Sequence, residues 1–275
     1  MASTLERDTK GNITLQISLP WEKVKTAKQT VLTSFAKDMT LQGFRKGKAP
    51  LNVAAEHIDP DRLREETLKM LLPDAYVAAV KEHNLNPIVN PKIHVDKLED
   101  DKDWTFSAVT CEMPKVVLGD YKKKVKDITA KSKIAIPGKE QQEPNFDEIM
   151  KVLVSTAEIT VPEMIVEQEV DRLLSQTLDE VKKLGLTLDQ YLSSTGKSAE
   201  QLRTDYREKA INDIKMEFIL QQVAQEEKIT VEENELDEAV QKAKSPQEKE
   251  YLQHNKYMLA NILKQQKTLD FLKNL

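Results

Sequence analysis

The chain has 275 residues and a mass of 31.4 kDa, which is long enough for two domains. Charged residues make up 32% of it and aromatic residues only 5%, a composition typical of a helix-rich protein with few aromatic core residues. The net charge of −5 excludes a generally basic nucleic-acid-binding protein, so that any contact with RNA must depend on local basic patches. A single cysteine, Cys111, excludes an intrachain disulfide. We find no apolar signal region and no segment of transmembrane length, and therefore expect a cytoplasmic protein without a membrane contact.

The first part of the chain predicts one strand followed by helices. Residues 11–20 alternate between apolar and polar side chains, which is the pattern of a half-buried strand. An apolar stripe at helical spacing then predicts a helix over residues 21–35. A second helical region is predicted to start near Pro50 and another at Asp59-Pro60, where an N-cap residue precedes proline. The apolar spacing of the latter continues to about residue 84, and Pro73 is expected to kink or divide it.

A β-hairpin is predicted next. Its strands are residues 93–98 and 104–113, and the acidic stretch 99–103 is the expected turn between them. Residues 1–114 therefore predict an α+β domain that consists of a small antiparallel sheet and helices.

Residues 115–145 have a different composition. Lysines crowd this stretch, and two Pro-containing breaks at 137–138 and 143–144 interrupt it. We interpret it as a solvated Lys-rich linker, with an auxiliary contact to RNA as the open alternative.

The remainder, residues 146–275, predicts an all-α domain. Amphipathic runs cover residues 162–184, 198–227, 231–244 and 246–274. Helix-capping pairs recur before such runs, and they are Asn145 with Glu148, Thr187 with Gln190, Ser198 with Gln201, Thr230 with Glu233, and Ser245 with Glu248. Long helices with few aromatic residues favour extended helical arms.

The most informative segment is the octapeptide Gly43-Phe44-Arg45-Lys46-Gly47-Lys48-Ala49-Pro50. Two glycines and a proline break the backbone around one aromatic side chain and three cations. The segment predicts a protruding loop that suits docking on an anionic surface with an apolar recess. The plainer alternative is an ordinary solvated turn whose Phe44 folds back into the core.

This octapeptide resembles the ribosome-docking signature of trigger factors, the bacterial chaperones of the nascent-chain exit tunnel, at every position that defines it. The resemblance extends over the predicted α+β domain, including Asn86-Pro87, and over the stretches 159–163 and 206–243 of the helical half. It implies a ribosome-binding site formed by Gly43, Phe44, Arg45, Lys46, Gly47, Lys48 and Pro50. It also implies an ATP-independent chaperone whose partners are protein and rRNA of the large ribosomal subunit and nascent or unfolded polypeptides.

Trigger factors usually carry an FKBP-like prolyl isomerase domain between these two parts. Such a domain needs on the order of 100 residues, and only residues 115–145 occupy its place here. We therefore expect a compact member of the family that lacks the isomerase. The four histidines are scattered, and no nucleotide-binding or catalytic motif is present, so that we expect no catalytic residue, metal or cofactor and no enzymatic activity.

Several questions stay open at this point. The client-binding candidates are the large apolar residues Met164, Ile165, Met216, Phe218, Tyr251, Tyr257, Met258 and Phe271, but residues at such spacing often pack in a core instead. Alternative functions are a ribosome-associated assembly or storage factor, a residual isomerase acting from the helical domain, and a ribosome-independent dimeric holdase. The arms also leave homodimerisation open.

Overall fold

The computed structural model describes residues 2–132, 146–243 and 245–275. It divides into two compact units: unit 1 comprises Met1–Met113 and Pro162–Met164, and unit 2 comprises Pro114–Val161 and Ile165–Leu275. The predicted fold class is confirmed, since an α+β unit precedes a mostly helical one. Part of the predicted linker, residues 133–145, lies outside the described residues, as does the Asn145 cap.

Unit 1 contains a four-stranded antiparallel sheet. Its strands are β1 (Ala2–Arg7), β2 (Asn12–Leu19), β3 (Lys92–Lys97) and β4 (Trp104–Cys111), in the spatial order β1-β2-β4-β3. The strand and the hairpin predicted from the sequence are β2, β3 and β4. The edge strand β1 was not predicted, because Leu5 is its only large apolar residue and its sequence shows no apolar alternation. Its extended conformation is instead stabilised by antiparallel pairing with β2.

Unit 1 also contains three helices, α1 (Trp21–Asp38), α2 (Leu51–Glu56) and α3 (Pro60–Glu82), of which α1 and α3 pack against the sheet. The core comprises the inward-facing residues Ile13, Leu15, Ile17, Leu19, Trp104 and Phe106 with residues of α1 and α3. Full burial of one such side chain stabilises the fold by about 1.5–3 kcal/mol. This core fixes the position of α1, and the loop at residues 43–50 follows the C-terminal end of that helix.

Of the two outcomes expected at Pro73, a kink or a division of the helix, the division is wrong. Helix α3 runs without interruption from Pro60 to Glu82, and Pro73 lies inside it on the exposed side. Leu68 and Ala75 on either side of the proline are buried, and this packing keeps the segment helical despite the lost backbone donor.

The rest of the chain is mostly helical. A short pairing joins β5 (Val116–Val117) and β6 (Glu158–Ile159). The helices are α4 (Tyr121–Ser132), α5 (Phe146–Thr156), α6 (Glu163–Lys183), α7 (Leu188–Thr195), α8 (Ala199–Glu226), α9 (Glu233–Gln241), α10 (Pro246–His254) and α11 (Lys256–Asn274). The run predicted over 246–274 is therefore two helices. They are separated at Asn255, whose amide side chain donates to the carbonyl of Tyr251 at 2.8 Å.

Helix α8 connects the two cores of unit 2. One core lies where α8 packs with α4, α5 and α11, around Ile149, Leu153 and Ile219. The other lies between α6 and α8, around Val170 and Ala210. Most of the apolar surface of α8 is used in these two cores.

Helix α4 corrects the interpretation of residues 115–145 as a solvated linker. Tyr121 and Val125 are buried among residues of α5 and α8, while the lysines between them face solvent. The Tyr121 hydroxyl donates to Glu227 Oε1 at 2.9 Å, and Lys122 pairs with the same oxygen at 2.6 Å. Burial and the neighbouring Glu227 carboxylate raise the pKa of Tyr121. The helical spacing of Tyr121, Val125 and Ile128 was present in the sequence but was masked by the lysines.

Three predicted caps are confirmed: the side chains of Thr187, Ser198 and Ser245 each accept a backbone N–H three residues further on. The cap predicted at Thr230 was wrong, since α9 begins after Glu232, with Glu235 reaching back to its backbone. Among the described residues, no helix is both long enough and apolar enough to span a membrane.

Candidate functional site

The octapeptide lies in the loop that joins α1 to α2. Two hydrogen-bonded turns form this loop. The Phe44 N–H donates to the Leu41 carbonyl at 3.0 Å, and the Lys48 N–H donates to the Arg45 carbonyl at 2.9 Å. In each turn the third residue is a glycine with a positive φ, +88° at Gly43 and +72° at Gly47, as a type II turn requires. The two glycines therefore shape the loop locally.

Gly47 also fastens the loop to the end of α1. Its N–H donates to the Met39 carbonyl at 3.1 Å. A Cβ atom at this position would lie 2.6 Å from the Lys37 carbonyl oxygen, so that only glycine fits without a shift of the backbone. At Gly43, in contrast, an added Cβ atom would have no other atom within 4 Å. The loop is thus fixed at its base and open near its tip.

The base rests on a small apolar cluster, which comprises Val31, Ile58 and Leu63 with partly buried Leu32, Phe35 and Met39. On the far side of the loop, Pro50 precedes the first residue of α2, and its carbonyl accepts the Ala54 N–H at 3.0 Å. Both ends of the octapeptide are therefore attached to helices.

The tip presents one aromatic ring among cations. Phe44 is 40% exposed, and Arg45, Lys46 and Lys48 are exposed as well. Within the described residues, none of these three cations forms an ion pair. The alternative in which Phe44 folds into the core does not hold, because the ring belongs to none of the core clusters. Such a tip can place a ring in an apolar recess while its cations meet anionic groups.

The titratable groups elsewhere have ordinary structural partners. His57 and His254 each contact a carbonyl four residues earlier, at 2.9 and 2.8 Å, and His83 contacts the Ser3 hydroxyl at 2.9 Å. Cys111 is buried, and burial raises the pKa of its thiol to about 11. No cluster of His, Cys, Asp and Glu with the arrangement of a metal site occurs in the part of the chain that the structure describes.

The structure separates the client-binding candidates into packed and exposed residues. Met164 is buried, and Ile165, Met216, Phe218 and Phe271 pack against the cores. Tyr251, Tyr257 and Met258 are exposed, Tyr257 to 82%. These three residues of α10 and α11, together with exposed Ile262, are called the α10–α11 surface below.

A second exposed apolar surface was not predicted. It comprises Leu178, Leu184, Leu186 and Leu188, from the second half of α6 to the start of α7. Leu184 is 73% exposed beside Gly185, which ends α6 with a φ of +72°. The sequence signal was the alternation Leu184-Gly185-Leu186-Thr187-Leu188, which a helix-based interpretation passes over.

The structure thus combines a fixed aromatic and basic loop on an α+β unit with a mostly helical unit that exposes apolar side chains. The family model for the N-terminal part of bacterial trigger factor protein matches residues 1–141, and the model for the trigger factor C-terminus matches residues 123–274. This chain belongs to the trigger factor family.

Individual relatives agree with this assignment over part of the chain. Trigger factor of Streptococcus pyogenes serotype M5 (strain Manfredo) is 33% identical over 135 residues, which are 49% of this chain and 32% of the relative. Trigger factor of Staphylococcus epidermidis is 34% identical over 122 residues, 44% of this chain and 28% of the relative. The matches thus span about a third or less of these relatives' own length.

One solved structure is similar over the whole fold. It comes from work on promiscuous substrate recognition in folding and assembly activities of the trigger factor chaperone. The TM-score is 0.71 at 15% identity, and the superposition covers 100% of this chain and 99% of the other. At that identity the similarity establishes the fold.

We predict that Gly47→Ala destabilises unit 1 more than Gly43→Ala does. Both substitutions place a side chain at a positive φ, which costs about 1–2 kcal/mol. Gly47→Ala adds the clash with the Lys37 carbonyl, so that we expect a total of about 2–4 kcal/mol in the free energy of unfolding. Urea unfolding of the two variants beside wild type measures the difference. Equal losses in the free energy of unfolding would show that the close approach to the Lys37 carbonyl does not destabilise the Gly47 variant further.

Proposed function

We propose that this protein is an ATP-independent molecular chaperone that docks at the exit tunnel of the ribosome and holds nascent or unfolded polypeptides. The observation that carries the proposal is the loop at 43–50, with its fastened base, its exposed ring and three exposed cations that form no ion pair with any described residue. Family membership adds support, because the octapeptide matches the family's docking signature. A ribosome-bound function places the protein in the cytoplasm.

In this proposal Phe44 enters an apolar recess on a ribosomal protein, and burial of the ring is worth about 2 kcal/mol. Arg45 offers a planar pair of donors to a carboxylate or an RNA phosphate, whereas Lys46 and Lys48 act as point charges. The glycines at 43 and 47 and Pro50 set the shape of the loop rather than bind.

Unit 2 would hold clients through the α10–α11 surface and the leucine surface of α6 and α7. Tyrosine and methionine side chains adapt to many partners, which suits promiscuous binding. Several weak contacts of this kind act together and release a client as it folds, so that no nucleotide is needed.

Co-sedimentation with bacterial ribosomes tests the docking. We expect Phe44→Ala/Arg45→Ala/Lys46→Ala to lower the affinity by at least about thirtyfold, the equivalent of the lost ring burial alone. Lys23→Ala/Lys25→Ala is the matched control. It also removes two exposed positive charges, but about 20 Å along α1 from the loop, and it should bind like wild type.

Equal binding by wild type and the triple variant, or no binding by either protein, would contradict the docking and favour a ribosome-independent holdase. Urea unfolding of each variant establishes that the fold is retained in the comparison.

Suppression of aggregation tests the holding. We expect Tyr257→Ser/Met258→Ser to raise several-fold the concentration of protein needed to prevent aggregation of a diluted, denatured client, because exposed apolar contact area is lost. Gln253→Ser/Gln265→Ser changes two exposed polar residues, one of α10 and one of α11, and serves as control. Light scattering gives the measurement. Wild type that binds ribosomes but does not suppress aggregation would favour an assembly or storage factor instead.

We further propose that the protein has no prolyl isomerase activity. Only residues 133–145 separate α4 from α5, against the roughly 100 residues that a separate domain needs. The two family models also overlap over residues 123–141, which leaves no unmatched stretch between them. A peptide isomerisation assay should give the uncatalysed rate, and a rate above background that persists on further purification would refute this.

A further inference from the structure

Arg62 lies on an aromatic ring at the base of the docking loop. It occupies the first turn of α3, and its guanidinium carbon lies 5.3 Å from the centroid of the Phe35 ring, which is a cation–π contact. Phe35 itself packs in the apolar cluster beneath the loop. The stacked side chain is therefore held in place while the residue stays exposed.

The ring is connected directly to the loop. The Phe35 carbonyl accepts the Met39 N–H at 3.1 Å, and the Met39 carbonyl accepts the Gly47 N–H at 3.1 Å. Two consecutive hydrogen bonds thus lead from the residue under Arg62 to the glycine that fastens the octapeptide. This series of contacts places Arg62 at the end of α1 from which the octapeptide follows.

The carboxylates nearest to Arg62 in sequence all have other partners. Asp59 caps α3 by accepting the Asp61 N–H at 3.0 Å, and the Asp61 carboxylate pairs with Arg64 at 2.7 Å. Further along α3, two glutamates both pair with one lysine, and these residues are Glu65, Glu66 and Lys69. Across the described residues Arg62 has no ion pair, although it is surrounded by acids that could supply one.

We propose that Arg62 is a second anchor of the docking surface and contacts an RNA phosphate next to the site that receives the loop tip. The inference rests on the proposed ribosome docking and extends it beyond the octapeptide. A guanidinium whose plane is fixed by stacking presents its donors to a phosphate with little further ordering, and phosphate accepts two of them at once. Since Arg62 forms no ion pair with any described residue, its charge is available to a partner outside this chain.

The test is the salt dependence of ribosome binding. Co-sedimentation from about 50 to about 200 mM KCl yields the slope of log affinity against log salt, which becomes shallower by roughly one when one phosphate contact is lost. We expect Arg62→Gln to show this change together with a several-fold loss of affinity at physiological salt. Arg62→Lys should keep the slope and lose part of the affinity, because it keeps the charge but not the two-donor geometry.

The matched control is Arg64→Gln, which removes the same charge two residues away but from a side chain already paired with Asp61. It should leave both affinity and slope close to wild type. The Phe44→Ala/Arg45→Ala/Lys46→Ala variant is measured alongside.

Any of the following results would overturn the inference that Arg62 contacts a phosphate. If Arg62→Gln behaves like wild type while the triple variant has lost binding, docking stands and the Arg62 contact does not. A loss of affinity without a change of slope, or an equal effect of Arg64→Gln, would exclude a specific phosphate contact and favour an acidic protein group or a general charge effect. Absence of binding by wild type would overturn docking and the Arg62 contact together.

Discussion

The contact between Gly47 and the last turn of α1 is the constraint on which the conformation of the loop at 43–50 depends. A backbone approach that leaves no room for a Cβ atom joins two segments more closely than side-chain packing can. Because the same residue donates its N–H to Met39, the loop cannot slide along the helix without losing a hydrogen bond. The exposed ring of Phe44 is consequently presented on a backbone that is already ordered, so that little conformational entropy remains to be lost on binding.

Unit 2 shows how a protein with few aromatic residues keeps apolar surface exposed without unfolding. Its stability resides along α8, where aliphatic residues of α4, α5, α6 and α11 meet in two cores. The exposed leucines and tyrosines lie outside these cores, although Leu178 and Tyr257 belong to α6 and α11, which also supply core residues. Exposed apolar surface and structural core are thus separate sets of residues, and the surface is free to vary without loss of the fold.

Much of unit 1 could be predicted from the sequence, because strict alternation in β2 and helical spacing in α1 report directly which side faces a core. The features that escaped prediction depend on neighbours distant in sequence. Strand β1 needs β2, the helix through Pro73 needs packing on both sides, and α4 needs α5 and α8 beneath its lysines. At the site, the octapeptide was recognisable as a motif. The stacking of Arg62 on Phe35 joins residues that no local pattern connects.

The shared packing of α4 and α5 determines where the chain can accept an inserted domain. Residues 133–145 join α4 to α5, and these two helices pack in the same core of the same unit. A connection between two such helices tolerates the gain or loss of a whole domain, because neither helix has to change its packing partners. In genetic terms this position is an insertion point.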